Sequence, residues 1–582
     1  MQEHEQKKEE FSFKNYFVPL TTLKTIHWII IIALFVYANS LFNNFLGDDV
    51  IYIINNSLAH TINFSNAFGP NIFNTAGQYR PIPALYFSIL YTLFETNTFY
   101  YHILQLLLHI GCAILLFILF RKFFSLSITF LSVLVFLVHP IQVESVSYIS
   151  QTVSELFFLF GIIAFQLSLK KKISLKRLIL IGLLLLFSFL TKETGVLFFL
   201  LIVTYNFLFN RKNIIKFLFV GFLSIVVYVA LRHFVGHVGL DTRPLNPISM
   251  ISLQARLLNI PAIGFYYLKT LVFPITLAYD QQWAITSVDF AQFYLPLIID
   301  SLFLIVISLI GLFIVKNHDH NIKLFLFFCV WFFSGLFMVI QIYPLDATVA
   351  DRWFYFPLVG LLGIIGISIN LFKERIKYMR KIWIIIAIFI LVLLSLRTIV
   401  RNSNWIDAIT LFSHDIKVSD NDNLEENLAF ELMTVHRYND ALVYLQKSVK
   451  TSPHASNLYD LGYLYEQLHD YQKAKYYYSL GLKLKDMSDG QDQVKKYTYE
   501  GMARVLSFHD NTKTAKEFLE EATKVYPSEG TFWAYLAIID YTSGSQKEAL
   551  RSAEKAKLLL HSATANLLFY RIYNKKPLNL HI

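Results

Sequence analysis

Cysteine and charged side chains are both scarce in this sequence. Two of its 582 residues are cysteines, and because Cys112 and Cys329 lie in apolar runs, they offer neither a disulfide framework nor a thiolate zinc site. Charged residues make up 16% of the chain and hydrophobic residues 55%, with a mean hydropathy of +0.48. A soluble protein of this length could not bury so much apolar surface. The composition therefore predicts a polytopic membrane protein of the all-α class, a bundle of transmembrane helices.

The formal net charge of +10 is unevenly distributed along the chain. From residue 402 onward, 21 basic residues stand against 23 acidic residues, so the positive excess lies before that point. There it falls in the short loops between apolar runs, which is the positive-inside pattern of membrane proteins. This location argues against a nucleic acid as partner, because it leaves no basic patch on a soluble domain.

Apolar runs alternate with basic clusters and predict about 11 transmembrane helices. The runs lie at about 26–41, 98–120, 124–138, 148–169, 178–191, 195–209, 214–231, 294–315, 322–340, 353–372 and 382–399. A basic cluster follows every second run, which predicts a cytoplasmic N-terminus and an extracytoplasmic C-terminus. The N-terminal region shows no signal-peptide cleavage pattern, so we expect the first run to be a retained span.

Two apolar segments fit the outer membrane interface better than a span. Pro81 to Phe94 lies in the first outer loop, residues 45–97, and is short for a span at about 14 residues. Its tyrosines suit the headgroup zone, so we expect an interfacial helix. Ser252 to Phe273 contains two basic residues and an internal proline, and the same interpretation predicts a second interfacial helix there.

Polar residues from distant parts of the sequence return to the predicted outer side of the membrane. They are Asp48 and Asp49, Arg80, His139 and Glu144, Lys192 and Glu193, and Asp351 and Arg352. Adjacent carboxylates repel each other at a membrane boundary and lose hydration, so they persist only with a reason. The convergence predicts an active site on this side. Two plainer interpretations stay open: Asp48-Asp49 as a helix end, and Lys192-Glu193 as a structural ion pair.

The order of these motifs resembles the glycosyltransferase family C superfamily. The acidic pair is followed by Gln78-Tyr79-Arg80-Pro81, His139-Pro140 with Glu144, Thr191-Lys192-Glu193 and Asp351-Arg352-Trp353. The arrangement is most similar to the transmembrane-and-TPR protein O-mannosyltransferases, which use polyprenyl-phosphate sugars. In related O-mannosyltransferases the pair is Asp-Glu, whereas here it is Asp48-Asp49. The first position is the general base in that family, and it matches Asp48.

The resemblance implies an inverting sugar transfer, and the residue types suit it. A carboxylate takes the proton of the acceptor hydroxyl as that oxygen attacks the sugar, while cations receive the departing lipid phosphate. Asp48 and Asp49 are the candidate catalytic residues, and Arg80, Lys192 and Arg352 are the candidate phosphate-binding residues. His139, Glu144, Glu193 and Asp351 are candidates for positioning the sugar or the acceptor. No cofactor is required; a divalent metal held by Glu144 and Asp49 stays open, because the carboxylates are too scattered to predict one.

The last part of the chain carries a helical repeat. Ala441, Ala474, Ala515 and Ala549 are spaced by 33, 41 and 34 residues, with an insertion near residues 486–492 in the middle interval. Small residues recur at fixed offsets from each alanine, which is typical of the tetratricopeptide repeat (TPR). The sequence thus predicts a transmembrane module at 1–401 and an α-solenoid of about four repeats at 423–572, with a groove for a peptide or a partner protein.

Together these features predict a membrane glycosyltransferase. It would move a sugar, mannose if the resemblance holds, from a polyprenyl-phosphate donor to Ser or Thr hydroxyls of an extracytoplasmic protein, with Asp48 as base. Two alternatives remain: the same chemistry on a lipid-linked or cell-wall glycan, and a non-enzymatic membrane scaffold whose TPRs assemble partners.

Overall fold

The computed structural model describes residues 20–74, 77–239, 246–317, 321–372, 377–484 and 491–578. Within these ranges the chain is helical, and one isolated antiparallel bridge joins Gln281 to Val349. The predicted all-α fold is therefore confirmed. The chain divides into two compact units, Met1–Ser419 and Asp420–Ile582. The predicted cytoplasmic N-terminus at residues 1–19 and most of the predicted insertion lie outside the described residues.

The first unit is built mainly of apolar helices. In chain order they are α1 (Thr22–Val36), α2 (Phe64–Phe68), α3 (Pro81–Phe94), α4 (Thr98–Phe120), α5 (Leu126–Val138), α6 (Val143–Ser147), α7 (Thr152–Ser168), α8 (Leu175–Thr191), α9 (Val196–Phe209), α10 (Ile214–Ala230), α11 (Pro247–Met250), α12 (Leu253–Leu257), α13 (Ile260–Val272), α14 (Leu295–Asn317), α15 (Ile322–Phe337), α16 (Tyr355–Leu371), α17 (Arg380–Asn404) and α18 (Ala408–Asp415).

Several of these helical segments can span a membrane. Among the described residues, six are long and apolar enough: Thr98–Phe120, Ile149–Ser168, Arg211–Val235, Phe290–Asn317, Asp351–Leu371 and Lys381–Asn404. A seventh results if Leu126–Val138 and Pro140–Ser147, bent by 51°, form one span. The protein is thus a multi-pass membrane protein, whereas the predicted number of about 11 spans stays a prediction.

The two segments assigned to the membrane interface differ in structure. Pro81–Phe94 is one helix of 14 residues, bounded as the sequence indicated. The segment from Ser252 to Phe273, in contrast, is not one helix but two, because α12 ends at Leu257 and α13 begins at Ile260. Pro261 contributes to the break, because it stands in the first turn of α13 and has no N–H to donate to a preceding carbonyl.

Two glycines of α16 let it pack closely against α15. A Cβ on Gly360 would lie 2.4 Å from the backbone nitrogen of Phe332, and one on Gly363 would lie 2.1 Å from the ring of Phe328. Small residues at both positions let the helices approach this closely.

A buried ion pair closes the C-terminal end of the first unit. Arg401, near the end of α17, donates to the two carboxylate oxygens of Asp415 at 2.7 and 3.0 Å. Asp415 also accepts the backbone N–H of Tyr279 at 2.6 Å. Burial raises the pKa of Asp415, but Arg401 and a hydrogen bond from His414 outweigh it and hold that pKa below its usual range. The segment after the last span is thereby part of the first unit.

The second unit is an array of antiparallel helix pairs. Its helices are α19 (Asp422–Thr434), α20 (Tyr438–Thr451), α21 (Ala455–Gln467), α22 (Tyr471–Lys483), α23 (Gln491–His509), α24 (Thr512–Val525), α25 (Gly530–Thr542), α26 (Gln546–Leu560) and α27 (Ala563–Tyr573). The four alanines that revealed the repeat, Ala441, Ala474, Ala515 and Ala549, are each 0% exposed. Their small side chains let paired helices pack closely, as the TPR pattern predicts.

Candidate active site

Asp48 lies in a tight turn that follows the first apolar helix. Asp49 donates its backbone N–H to Leu46 O at 2.9 Å, and Val50 donates to Gly47 O at 3.1 Å. Gly47 has a φ of +47°, a left-handed conformation that glycine adopts without steric cost. The turn therefore depends on a glycine directly before the acidic pair.

The two carboxylates of the pair have different surroundings. Asp49 is 1% exposed, and its oxygens accept hydrogen bonds from Leu46 N at 3.1 Å, from Ser150 N at 2.7 Å and from Ser150 Oγ. Burial raises the pKa of Asp49 to about 7, against the hydrogen bonds from Ser150 and Leu46, which lower it. Asp48 is half-buried, and its backbone N–H donates to Tyr148 Oη at 2.9 Å.

Cationic side chains lie within electrostatic range of Asp48. Burial raises the pKa of its carboxyl group, and Arg352, a hydrogen bond from Tyr148 and Arg80 act in the opposite direction. The net effect is a pKa above the usual value for aspartate. A carboxyl group with a raised pKa is a stronger base once it is ionised, which suits proton abstraction.

The three candidate phosphate-binding residues line one cavity. It has a volume of about 430 Å³, and its lining includes Arg80, Lys192, Arg352, Glu193 and Asp346. These residues come from sequence positions far apart, and the bundle brings them together. Asp48 is not among the lining residues, and the charges of Arg352 and Arg80 lower the pKa of its carboxyl group.

Arg80 is held at the cavity wall by Glu193. The guanidinium donates to the Glu193 carboxylate at 3.1 and 3.3 Å, and the same carboxylate accepts the backbone N–H of Tyr79 at 3.2 Å. Arg80 also donates its backbone N–H to Asn74 at 3.0 Å. Glu193 therefore orients the arginine, and its ion pair joins it to Arg80, a residue of another loop.

Arg352 is held by two acidic residues. Its guanidinium is hydrogen-bonded to Glu144, which also accepts the Arg352 backbone N–H at 2.9 Å. A second guanidinium nitrogen lies 3.1 Å from Asp346, whose side chain is 58% exposed. Glu144 is buried, and it orients the arginine without lining the cavity itself.

Lys192 differs from the two arginines. Its Nζ donates to Ser154 Oγ at 3.3 Å, and among the described residues it forms no ion pair with a carboxylate. Burial, together with the charges of Arg80 and Arg352, lowers the pKa of Lys192 to about 7, although Asp346 and Glu193 act in the opposite direction. Among the described residues, this ammonium group thus has no carboxylate within ion-pair distance.

Two other predicted site residues are engaged elsewhere. His139 Nδ1 accepts the backbone N–H of Ile141 at 3.2 Å, and Nε2 lies 3.0 Å from Leu271 O. Since both ring nitrogens bind the backbone, His139 stabilises a turn. Asp351 is buried and accepts a hydrogen bond from Tyr266 at 2.6 Å.

A metal held by Asp49 and Glu144 does not fit their surroundings. Protein donors already occupy both carboxylates, Asp49 through Leu46 and Ser150, and Glu144 through Arg352. Among the described residues, no group of three or more His, Cys, Asp or Glu side chains could hold a metal ion. The two carboxylates therefore act as hydrogen-bond acceptors for protein groups.

The sequence did not reveal three contributors to this region. Tyr148 and Ser150 contact the acidic pair, and Asp346 lines the cavity. Serine and tyrosine are too common beside apolar runs to be singled out. Asp346 had a usable signal, because it is an acidic residue on a predicted outer connection, close to Arg352.

Comparison with known proteins gives distant relatives of one kind. No protein-family model matches the chain. Protein O-mannosyl-transferase F38B6.6 of Caenorhabditis elegans is 24% identical over 424 residues, which is 67% of this chain and 57% of the relative. Human protein O-mannosyl-transferase TMTC3 is 22% identical over 550 residues, 87% of this chain and 60% of the relative. Human protein O-mannosyl-transferase TMTC1 is 25% identical over 498 residues, 74% of this chain and 55% of the relative.

The chain thus spans between 55% and 60% of the length of these relatives. The similarity covers most of this chain. The resemblance predicted from the motif order is confirmed: the chain is similar to proteins named protein O-mannosyl-transferases.

Proposed function

We propose that this protein is a membrane glycosyltransferase that moves mannose from a polyprenyl-phosphate donor to Ser or Thr hydroxyls of an extracytoplasmic protein. The observation that carries the proposal is the cavity lined by Arg80, Lys192 and Arg352, with the carboxylate of Asp48 nearby. Three cations suit a phosphate, and a carboxylate suits activation of a hydroxyl. The names of the relatives supply the sugar and the protein acceptor.

Asp48 is the general base in this mechanism. Its carboxylate takes the proton of the acceptor hydroxyl while the hydroxyl oxygen attacks the anomeric carbon from the face opposite the phosphate. The bond between that carbon and the phosphate oxygen breaks, and the lipid phosphate leaves with its electron pair. The anomeric configuration therefore inverts. No acid is needed for the leaving group, because a phosphate departs as a stable anion.

The cations stabilise the charge that develops on the departing phosphate. Arg80 and Arg352 already carry carboxylate partners, which fix their orientation and reduce their net charge. Lys192 has no such partner among the described residues, so it supplies uncompensated positive charge. Arginine offers two parallel hydrogen bonds to phosphate oxygens, while lysine acts as a point charge. Together they form a preorganised site for the leaving group.

The repeat unit has a separate task in this proposal. We assign acceptor recognition to it, on the outer side of the membrane, because TPR arrays present concave surfaces that bind extended peptides or partner proteins. The basic loops of the first unit favour this side. A scaffold without catalysis would not require cations and a carboxylate gathered at one cavity.

A reconstituted transfer assay tests the proposal. The purified full chain in lipid nanodiscs receives radiolabelled polyprenyl-phosphate mannose, polyprenyl-phosphate glucose or a nucleotide mannose, with a Ser/Thr-rich peptide or a lipid-linked glycan as acceptor. We expect mannose on peptide hydroxyls from the lipid donor, with an anomeric configuration opposite to that of the donor. Transfer to the glycan alone would favour the alternative acceptor. Absence of transfer from every donor would contradict the proposed glycosyltransferase activity.

A further inference from the structure

The residue next to the proposed base is held more firmly than the base itself. Oδ1 of Asp49 accepts two hydrogen bonds from Ser150, one from the backbone N–H at 2.7 Å and one from the hydroxyl, while Oδ2 accepts the Leu46 N–H at 3.1 Å. Among the described residues, the one hydrogen bond to the Asp48 carboxylate comes from Tyr148. The two adjacent carboxylates therefore have different surroundings and different tasks.

The bonds to Asp49 close the turn that carries Asp48. The Asp49 side chain reaches back to Leu46 N, and its backbone N–H donates to Leu46 O at 2.9 Å. These two hydrogen bonds join Leu46, the first residue of the four-residue turn, to Asp49, the last. Asp48 is the third residue of the turn, and its own N–H is fixed to Tyr148 Oη at 2.9 Å. The backbone on both sides of the proposed base is thus restrained.

Among the described residues, the hydrogen bonds that hold the turn from outside come from one short segment. Tyr148 and Ser150 flank Ile149, which begins the span Ile149–Ser168. Both are buried, with exposures of 1% and 4%. The turn is therefore attached to the end of a membrane-spanning helix, which is a rigid support.

We propose that Ser150 is a positioning residue that acts through Asp49 to aim the Asp48 carboxylate at the acceptor hydroxyl. This inference rests on the proposed function of Asp48 as base. Among the described residues, the Ser150 hydroxyl is hydrogen-bonded to Asp49 alone, and Ser150 does not line the cavity. Loss of the hydroxyl should let the turn move relative to the cavity, while the Asp48 carboxylate and the cations of the cavity remain present. Small errors in the position of a base reduce the rate without weakening substrate binding.

Three variants of the full-length protein test this role in the transfer assay. Ser150→Ala removes the hydroxyl and keeps the backbone N–H, so we expect kcat to fall about 10- to 100-fold, with the KM for the lipid donor unchanged. Ser150→Thr keeps a hydroxyl and should recover most of the lost kcat. Ser168→Ala is the matched control, because Ser168 is equally buried at the other end of the same span and bonds only Phe165 O; its kcat should stay at the wild-type value.

A second measurement does not depend on activity. Carbodiimide coupling to an amine, read by mass spectrometry, reports which carboxylates are accessible. We expect Asp48 to react in the unaltered protein and Asp49 to react only in Ser150→Ala. A wild-type kcat in Ser150→Ala, or a loss of kcat with a lower melting temperature that Ser150→Thr does not rescue, would overturn the positioning role. An unaltered protein that transfers no sugar would overturn the proposed function instead, whereas unchanged Asp49 labelling in Ser150→Ala would overturn the contact itself.

Discussion

Glu144 accepts two hydrogen bonds from Arg352, one from its backbone N–H and one from its guanidinium, across 208 positions of sequence. The side chain of Glu144 is 2% exposed and that of Arg352 is 11% exposed. A buried charge pair of this kind adds little net stability, but the loss of one partner leaves the other charge buried without compensation. Substitution of either residue alone should therefore disturb the cavity wall.

Glu144→Gln should therefore destabilise the first unit. We expect a loss of about 3 kcal/mol in the free energy of unfolding, because Arg352 keeps only the exposed Asp346 as a partner. Thermal unfolding in detergent provides the measurement. The double variant Glu144→Gln/Arg352→Gln should regain part of the stability but not the transfer activity. An unchanged melting temperature in the single variant would contradict the importance of the pair.

Asp48→Asn should abolish most of the transfer activity without unfolding the protein. The amide keeps the shape of the side chain but cannot take a proton, and general-base catalysis contributes about 10²- to 10⁴-fold to a rate. The melting temperature should stay close to that of the wild type, because Asp48 is half-buried and one of two adjacent acids has been removed. Initial rates with polyprenyl-phosphate mannose and the melting temperatures of both proteins test this prediction. A large fall in melting temperature would instead support a structural pair at a helix end.

Donor affinity should decrease as the pH rises through about 7. The pKa of Lys192 lies near that value, lowered by burial, Arg80 and Arg352 and raised by Asp346 and Glu193. Protonated Lys192 attracts the donor phosphate, and the neutral amine does not, so the affinity is greatest on the acid side. A phosphodiester keeps its single charge throughout this range, so the lysine accounts for the change.

Lys192→Arg is the matched variant for this pH dependence. The guanidinium stays protonated at every pH of interest, so its donor dissociation constant should be nearly independent of pH between about 6 and 8. Equilibrium binding of a non-reactive donor analogue gives the constants. Parallel pH curves for the two proteins would show that Lys192 does not contact the phosphate.

The repeat unit should be accessible from the outer side of the membrane. Ser528 is exposed and can carry a cysteine probe, while Lys212 is exposed in a loop predicted to be cytoplasmic. In a background without Cys112 and Cys329, Ser528→Cys should react with an impermeant maleimide in intact cells. Lys212→Cys should react only after permeabilisation. The reverse pattern would overturn the predicted topology and with it the location of the active site.

Removal of the residues from Asn423 onward should change acceptor use more than donor use. The cations of the cavity all lie in the first unit, so donor affinity should be preserved in the shortened protein. Transfer to the native acceptor should fall, while transfer to a short Ser/Thr peptide should be retained. Side-by-side rates with both acceptors provide the test. Full activity of the shortened protein on its native acceptor would remove the recognition role of the repeats.

Much of the fold follows from local patterns in the sequence. Apolar runs became helices close to the expected bounds, such as Thr98–Phe120 and Pro81–Phe94, because the lack of water in a membrane forces backbone groups to bond within a helix. The spacing of Ala441 and its counterparts identified the repeats, since close packing of paired helices requires a small residue there. The number of spans did not follow, because length alone does not separate a short span from a buried helix.

The candidate site was predictable in outline only. Positive-inside topology brings Arg80, Lys192 and Arg352 to one side, and their common cavity agrees with that expectation. Which acid pairs with which cation depends on tertiary packing, so the pairing of Arg80 with Glu193 could not be predicted from the sequence. Ser150 contacts Asp49 across 101 positions, and no local pattern encodes such a contact. The same holds for the backbone contacts of both His139 ring nitrogens, so its predicted role in positioning a substrate stays a prediction.

The ion pair between Arg401 and Asp415 also has a consequence for the order of assembly. Arg401 emerges from the ribosome with the last span, and its carboxylate partner follows 14 residues later. Until then the guanidinium lacks the carboxylate to which it is hydrogen-bonded in the finished protein, and its burial without that partner would cost several kcal/mol. We therefore expect the last span to reach its final place after α18 has been synthesised and has folded back against it. A nascent chain arrested between these two residues would present a cationic helix end that the finished protein conceals.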